Sequence, residues 1–177
     1  MILLGISGGI AAYKTPELVR LLVKAGHDVQ VVMTEAAHHF VAPLVLQTLS
    51  GHTVRADFFA TEAEHSCSHI ALADAAQLVL VAPATANIVA KVAHGLCDDL
   101  LSTIINATKA PVIFAPAMNT NMWHNPITQR NVATLTSLGY TIVPPDHGTL
   151  ACGYEGDGRL PALEILVDAV QRRVPAG

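Results

Sequence analysis

The chain has 177 residues, of which 51% are hydrophobic and 14% charged, with a formal net charge of -4 at pH 7. One domain with one well-formed core is expected at this length, and a charged fraction below the about 25% of ordinary soluble domains predicts apolar surface buried between subunits. Ten Lys and Arg with no basic run argue against a nucleic-acid partner, and every apolar run is broken well before the ~20 residues that span a bilayer.

Read in order, residues 2–6 form the first predicted strand, leading into Gly5-Ile6-Ser7-Gly8-Gly9-Ile10. The opening Met1-Ile2-Leu3-Leu4 lacks the basic region of a signal peptide, so a cytoplasmic location is expected. Leu18, Leu21 and Leu22 at helical spacing predict a helix over 10–25, stopped at Gly26. A strand over 29–33 ends at Thr34, and a helix is predicted over 35–49. The run His65-Ser66-Cys67-Ser68-His69 follows; without a second ligand pair it does not make a metal site, and Ser68 is read as the N-cap of a helix over 70–75.

A strand over 78–82 leads into Pro83-Ala84-Thr85-Ala86-Asn87, followed by helices over 87–93 and 100–107 and a strand over 112–115. After Pro116-Ala117-Met118-Asn119-Thr120-Asn121-Met122-Trp123 come a helix over 127–138, a short strand over 141–143 and a last helix over 162–172. Between these last two, Gly148, Gly153, Gly156 and Gly158 accompany Cys152 and Arg159, which predicts a mobile loop able to close over a ligand. Strands alternating with helices predict an α/β domain with a parallel sheet covered on both faces. Pro175-Ala176-Gly177 is either a ragged end or the start of a linker.

In open parallel sheets, ligands bind beyond the carboxyl ends of the strands, and the unusual segments all fall there. Ser7-Gly8-Gly9 joins a strand to a helix, where backbone N-H groups, a hydroxyl and a helix dipole suit a phosphate; a plain tight turn is the alternative. It is neither Gly-x-Gly-x-x-Gly nor a Walker A loop. His69, in the first turn of its helix, is either solvated or a base near the pocket mouth. Met118, Met122 and Trp123 are each read as core, whereas Asn119, an amide among apolar side chains, needs hydrogen-bond partners that a substrate carboxylate or amide would supply. His38, His39, His52 and His94 carry no partner motif and are read as structural. Cys67, Cys97 and Cys152, odd in number and far apart, fit reduced thiols.

These segments, together with Gly5 to Lys14 and His69-Ile70-Ala71-Leu72, resemble the homo-oligomeric flavin-containing cysteine decarboxylases over nearly the whole chain. The family's Pro-x-Met-Asn-x-x-Met-Trp pattern is met in full, and its Ala-x-Gly-x-x-Gly-x-Gly-Arg substrate clamp is met with Cys152 at the second position. The resemblance implies a single-domain, flavodoxin-like (Rossmann-type) three-layer sandwich spanning residues 1–177, with no synthetase domain. It implies FMN held by Ser7, Gly8, Gly9, Ile10, Thr34, Thr85, Ala86, Asn87, Ile88 and Ala117, with Thr85 standing where serine is common.

It further implies His69 as active-site histidine, Asn119 as carboxylate-binding residue and Cys152 as proton donor, with substrate also touching Met122, Ala151, Gly153 and Arg159. The implied reaction turns 4'-phosphopantothenoylcysteine into 4'-phosphopantetheine in coenzyme A biosynthesis, through thioaldehyde and enethiolate stages, without a metal. Implied partners are further copies of the chain, as a trimer or a dodecamer of trimers, and a phosphopantothenoylcysteine synthetase, fused or separate. Relatives that stop at the enethiol of a peptidyl cysteine do not need the Cys152 donor. Other readings within reach are a non-catalytic FMN-binding regulatory subunit and a flavin prenyltransferase.

Overall fold

A computed structural model describes residues 1–56, 68–151 and 153–175. Five parallel strands form the central sheet: β1 (Ile2–Ile6), β2 (Val29–Met33), β3 (Leu78–Ala84), β4 (Val112–Pro116) and β5 (Thr141–Ile142), in the order β2-β1-β3-β4-β5. Ile2 pairs with both Val29 and Leu78, so β1 lies between β2 and β3 and the chain reverses its direction of sheet growth between β2 and β3.

Strands β1 to β4 are buried along their length, as expected of strands covered on both faces. Alternation along each strand divides these residues between two cores. Ile2, Leu4, Ile6, Leu78 and Leu80 face a core completed by α1 (Thr15–Lys24), α2 (Pro43–Ser50) and α8 (Leu163–Gln171), with Leu18, Leu22, Leu46, Leu166 and Val170. Leu3, Val79, Val81 and Phe114 face the other, with Ile88, Leu101, Ile104 and Leu135 from α4 (Ala86–Ala93), α5 (Leu100–Ala107) and α7 (Pro126–Ser137). The short α3 (Ser68–Ala75) packs on α5. Gly5 in β1 is required by this packing, since a side chain there would meet that of Leu101.

The structure departs from expectation in three places. The helix expected over 10–25 is a 3-10 turn, Ile10–Lys14, followed by α1, and the one expected over 35–49 is a 3-10 turn, Glu35–His39, followed by α2. Proline explains both breaks: Pro16 and Pro43 sit in first turns, where a missing N-H is harmless, and cannot continue a helix from the preceding segment. Residues 120–123 also form a short helix, α6 (Thr120–Trp123), in which no residue is buried, so Met122 and Trp123 are not core as read, and Met118 is only half-buried.

The third departure concerns the glycine-rich segment, which is not a loop but an antiparallel hairpin of β6 (Asp146–Thr149) and β7 (Glu155–Arg159). Two of its glycines, Gly156 and Gly158, permit a close approach to residues 118–120. A side chain at Gly156 would collide with that of Thr120, and one at Gly158 with the Met118 carbonyl. Gly158 also has φ +137, where other residues are strained. The approach is fixed by Met118 N-H donating to Gly158 O at 2.9 Å and by Thr120 Oγ1 donating to Asp157 O at 2.6 Å. Gly158→Ala should therefore cost about 1–3 kcal/mol and lower the melting temperature by several degrees, while Gly51→Ala, at another positive φ but in open space, tests the strain without the collision.

Candidate functional site

Beyond the carboxyl ends of β1 to β4 lies a cavity of about 940 Å³. Its floor is built by three loops drawn tightly together. Ser7 is buried, and its hydroxyl donates to Pro83 O at 2.7 Å while accepting from Thr85 N-H at 3.0 Å. The Ser7 proton is thus committed to stapling the first loop to the third. Gly8 leaves no room for a side chain against Ala36, so the first and second loops are in van der Waals contact.

Thr34 ends β2 with its N-H on Ile6 O at 3.0 Å, and its side-chain Oγ1 is buried without a hydrogen-bond partner among the described residues. Such a hydroxyl costs about 1–3 kcal/mol if left unsatisfied, and Thr34 lines the cavity. Across the floor, Thr85 caps α4, accepting from Ile88 N-H at 3.5 Å, and the positive end of the α4 dipole meets the cavity at Ala86, Asn87 and Ile88.

The opposite wall comes from β4 and the hairpin. Ala117 N-H donates to Ala84 O at 3.1 Å, which fixes the start of the 117–123 segment beside the third loop. Asn119 caps α6, with Oδ1 accepting from Asn121 N-H at 2.8 Å, so its amide NH2 is the end of the side chain that offers donors. Leu150, Ala151, Gly158, Arg159 and Leu160 complete the wall. Arg159 packs over Gly148 and pairs with Asp146 at 3.8 Å, its side chain about half exposed at 48%.

All ten expected cofactor contacts, Ser7 to Ile10, Thr34, Thr85 to Ile88 and Ala117, therefore line one cavity together with Asn119, Met122, Ala151 and Arg159. Gly153 does not line it; it sits in the hairpin turn with φ +83. His69, half-buried at the start of α3, is not among the lining residues of its own chain's cavity either. Cys152, and His65 to Cys67 of the histidine-cysteine run, lie outside the described residues.

Sequence reasoning missed a charged group on the cavity rim. Lys91 of α4 holds Asp98 and Asp99 at 2.7 Å each, and all three line the cavity. Asp99 also forms a capping box with Ser102 at the start of α5, a Asp-x-x-Ser pattern visible in the sequence ahead of Leu100-Leu101. Burial works against both charges, yet the hydrogen bonds from Lys91 and Ser102 hold the Asp99 carboxyl below its ordinary value, and the two aspartates hold Lys91 above its own.

The flavoprotein family model matches residues 1–175. The coenzyme A biosynthesis bifunctional protein CoaBC of Bacillus subtilis (strain 168) is 47% identical over 171 residues, which cover 97% of this chain and 42% of that protein. The chain thus spans about two fifths of the length of such relatives. Among solved structures, a PPC decarboxylase mutant complexed with pantothenoylaminoethenethiol superposes with TM-score 0.87 at 34% identity, covering 97% of this chain and 96% of that one. The FMN binding protein AtHal3 superposes with TM-score 0.85 at 33% identity, covering 99% and 97%.

The Asp99 geometry has a pH consequence. A carboxyl held below its unfolded value stabilises the fold above about pH 4, and that stabilisation is lost as pH falls through the folded value. Asp99→Asn keeps the capping oxygen and removes the charge, so it should cost roughly 1–2 kcal/mol at pH 7. Thermal unfolding of both proteins across pH 7 to 2 should show that gap closing only on the acid side.

Proposed function

The chain belongs to the flavoprotein family, and from that premise we propose that it binds FMN and decarboxylates 4'-phosphopantothenoylcysteine to 4'-phosphopantetheine in coenzyme A biosynthesis. The observation that carries this reading is the single cavity in which a phosphate-type glycine loop and an α4 N-terminus meet Asn119 and Arg159. Similarity to a PPC decarboxylase over nearly all of both chains supports the substrate class.

The residues fit FMN. The cavity lies at the reversal between β1 and β3, the point where flavodoxin-like sheets hold FMN. The Gly8-Gly9 turn leaves backbone at the surface for a phosphate, and the partnerless Thr34 hydroxyl offers both a donor and an acceptor. When bound, the flavin supplies the hydride acceptor that makes the carboxylate a leaving group and then the hydride donor that saturates the product.

The protein's part is to place and protonate the substrate. The Asn119 amide donates to the departing carboxylate, and Arg159 sets a cation on the same wall. Met122, Leu150 and Leu160 give this end of the cavity apolar sides, which favour loss of charge as carbon dioxide forms. Cys152, which lies between Ala151 and Gly153 in the sequence, delivers the proton that completes reduction. His69 acts as base toward the substrate. That it does not line its own chain's cavity fits entry from a neighbouring copy in a trimer, or in a dodecamer of trimers, and the exposed Ile10, Tyr13 and Met122 on the cavity rim give such a copy an apolar seat.

The synthetase that makes the substrate is the expected partner, fused or separate. No helix among the described residues is long and apolar enough to cross a membrane, and we place the reaction in the cytoplasm.

The purified protein should be yellow, release carbon dioxide from phosphopantothenoylcysteine and give a saturated thiol. Cys152→Ser should lower the rate of saturated product by about 10²-fold or more, with an enethiol product and bleached flavin absorbance instead. A colourless protein that binds no added FMN would overturn the reading, and saturated product at the normal rate from Cys152→Ser would overturn the role of the thiol.

A further inference from the structure

The β6–β7 hairpin belongs to a sheet of its own, yet Thr149, Gly158 and Arg159 from its strands line the cavity. Its position therefore depends on what ties it to the rest of the fold. Three side chains, two from α6 and its end and one from β6, converge on Asp157 at the middle of β7. Its carboxylate receives His124 Nε2, from the end of α6, at 3.0 Å on Oδ2, and His147 Nδ1, from β6, at 3.0 Å on Oδ1. Its backbone carbonyl receives the Thr120 hydroxyl at 2.6 Å, one residue from Asn119.

Resting on the decarboxylase reading above, we infer that Asp157 is a positioning residue for the reaction: it keeps the hairpin docked on α6, so that the substrate wall is already formed when substrate arrives. Both histidines can donate to it in a neutral tautomer as well as when charged, so the tie needs only an ionised Asp157. The remaining charges nearby, Arg159 and Asp146, are paired with each other, and Glu155 stands at the far end of β7. His147 first, and then His124, hold the Asp157 carboxyl below its ordinary value, which keeps it an acceptor at neutral pH.

The consequence is a change in affinity rather than in chemistry. If the docked hairpin is the competent state, its apparent dissociation constant scales inversely with the docked fraction. Asp157 touches neither the cavity nor any residue placed in the chemistry, so a substrate that closes the wall at saturation restores the normal rate.

The experiment compares FMN-loaded wild type, Asp157→Ala and Asp157→Glu for carbon dioxide release from phosphopantothenoylcysteine, alongside amide hydrogen exchange without substrate. For Asp157→Ala, KM should rise about tenfold, as a docked fraction of one tenth requires, with kcat within about twofold and flavin content unchanged. The longer carboxylate of Asp157→Glu should recover most of the KM. Amides of 146–149 and 155–159 should exchange faster in Asp157→Ala, with β1 to β4 unchanged. Faster exchange with KM unchanged, or a fall in kcat with KM unchanged, overturns the positioning role; unchanged exchange overturns the tie itself. A wild type that releases no carbon dioxide counts against the decarboxylase reading instead, and the exchange arm then decides the tie by itself.

Discussion

Residues 118–120 and β7 approach so closely that a side chain at position 156 would meet that of Thr120 and one at position 158 the Met118 carbonyl. The substrate wall of the cavity depends on this contact. It brings Asn119 beside Arg159, residues 40 positions apart in the chain, and it does so through backbone groups, which cannot change rotamer. Glycine at both positions is thus a condition for having the wall at all, and the Met118 N-H to Gly158 O bond sets its register.

The other half of the cavity is held by a different device. Here the sheet itself delivers three loops to one place, and Ser7 stitches two of them with a hydroxyl that donates to one backbone group and accepts from another. Buried inside the protein, such a bond is costly to break, so the first and third loops are held together. Against that satisfied network, the Thr34 hydroxyl stands out as buried on the cavity wall without a hydrogen-bond partner among the described residues. The cavity combines a floor fixed by the parallel sheet with a wall docked from outside it, a division that suits a resident cofactor and an exchanging substrate.

Much of this was legible in the sequence because each main strand is a continuous apolar run ended by Gly, Pro or a small polar residue. That the loops after β1 to β4 meet at one pocket follows from the strand ends alone. The hairpin did not, because Glu155-Gly156-Asp157-Gly158-Arg159 has almost none of the β-branched and aromatic residues that favour strands. Its strand conformation comes from tertiary docking, which composition does not encode. The two split helices were misread because apolar spacing continued through Pro16 and Pro43, where the helical hydrogen bonds do not. Lys91, Asp98 and Asp99 were missed for another reason: ion pairs across a helix-helix turn leave no periodic signal.

That last group shows where a chain with few charges uses them. Lys14, Glu35, Lys91, Asp98, Asp99 and Arg159 all line one cavity, although only 14% of residues are charged. Lys91 and Asp99 are mostly shielded from water, with side chains 19% and 22% exposed, and neither would be tolerated there alone. Each supplies the counter-charge that offsets the other's desolvation, and Asp99 in turn starts α5 while Lys91 anchors α4. The pair therefore fixes the spacing of the two helices that follow the cofactor loops. Removing either charge would leave the other partly buried without its counter-charge on the cavity rim that both residues line.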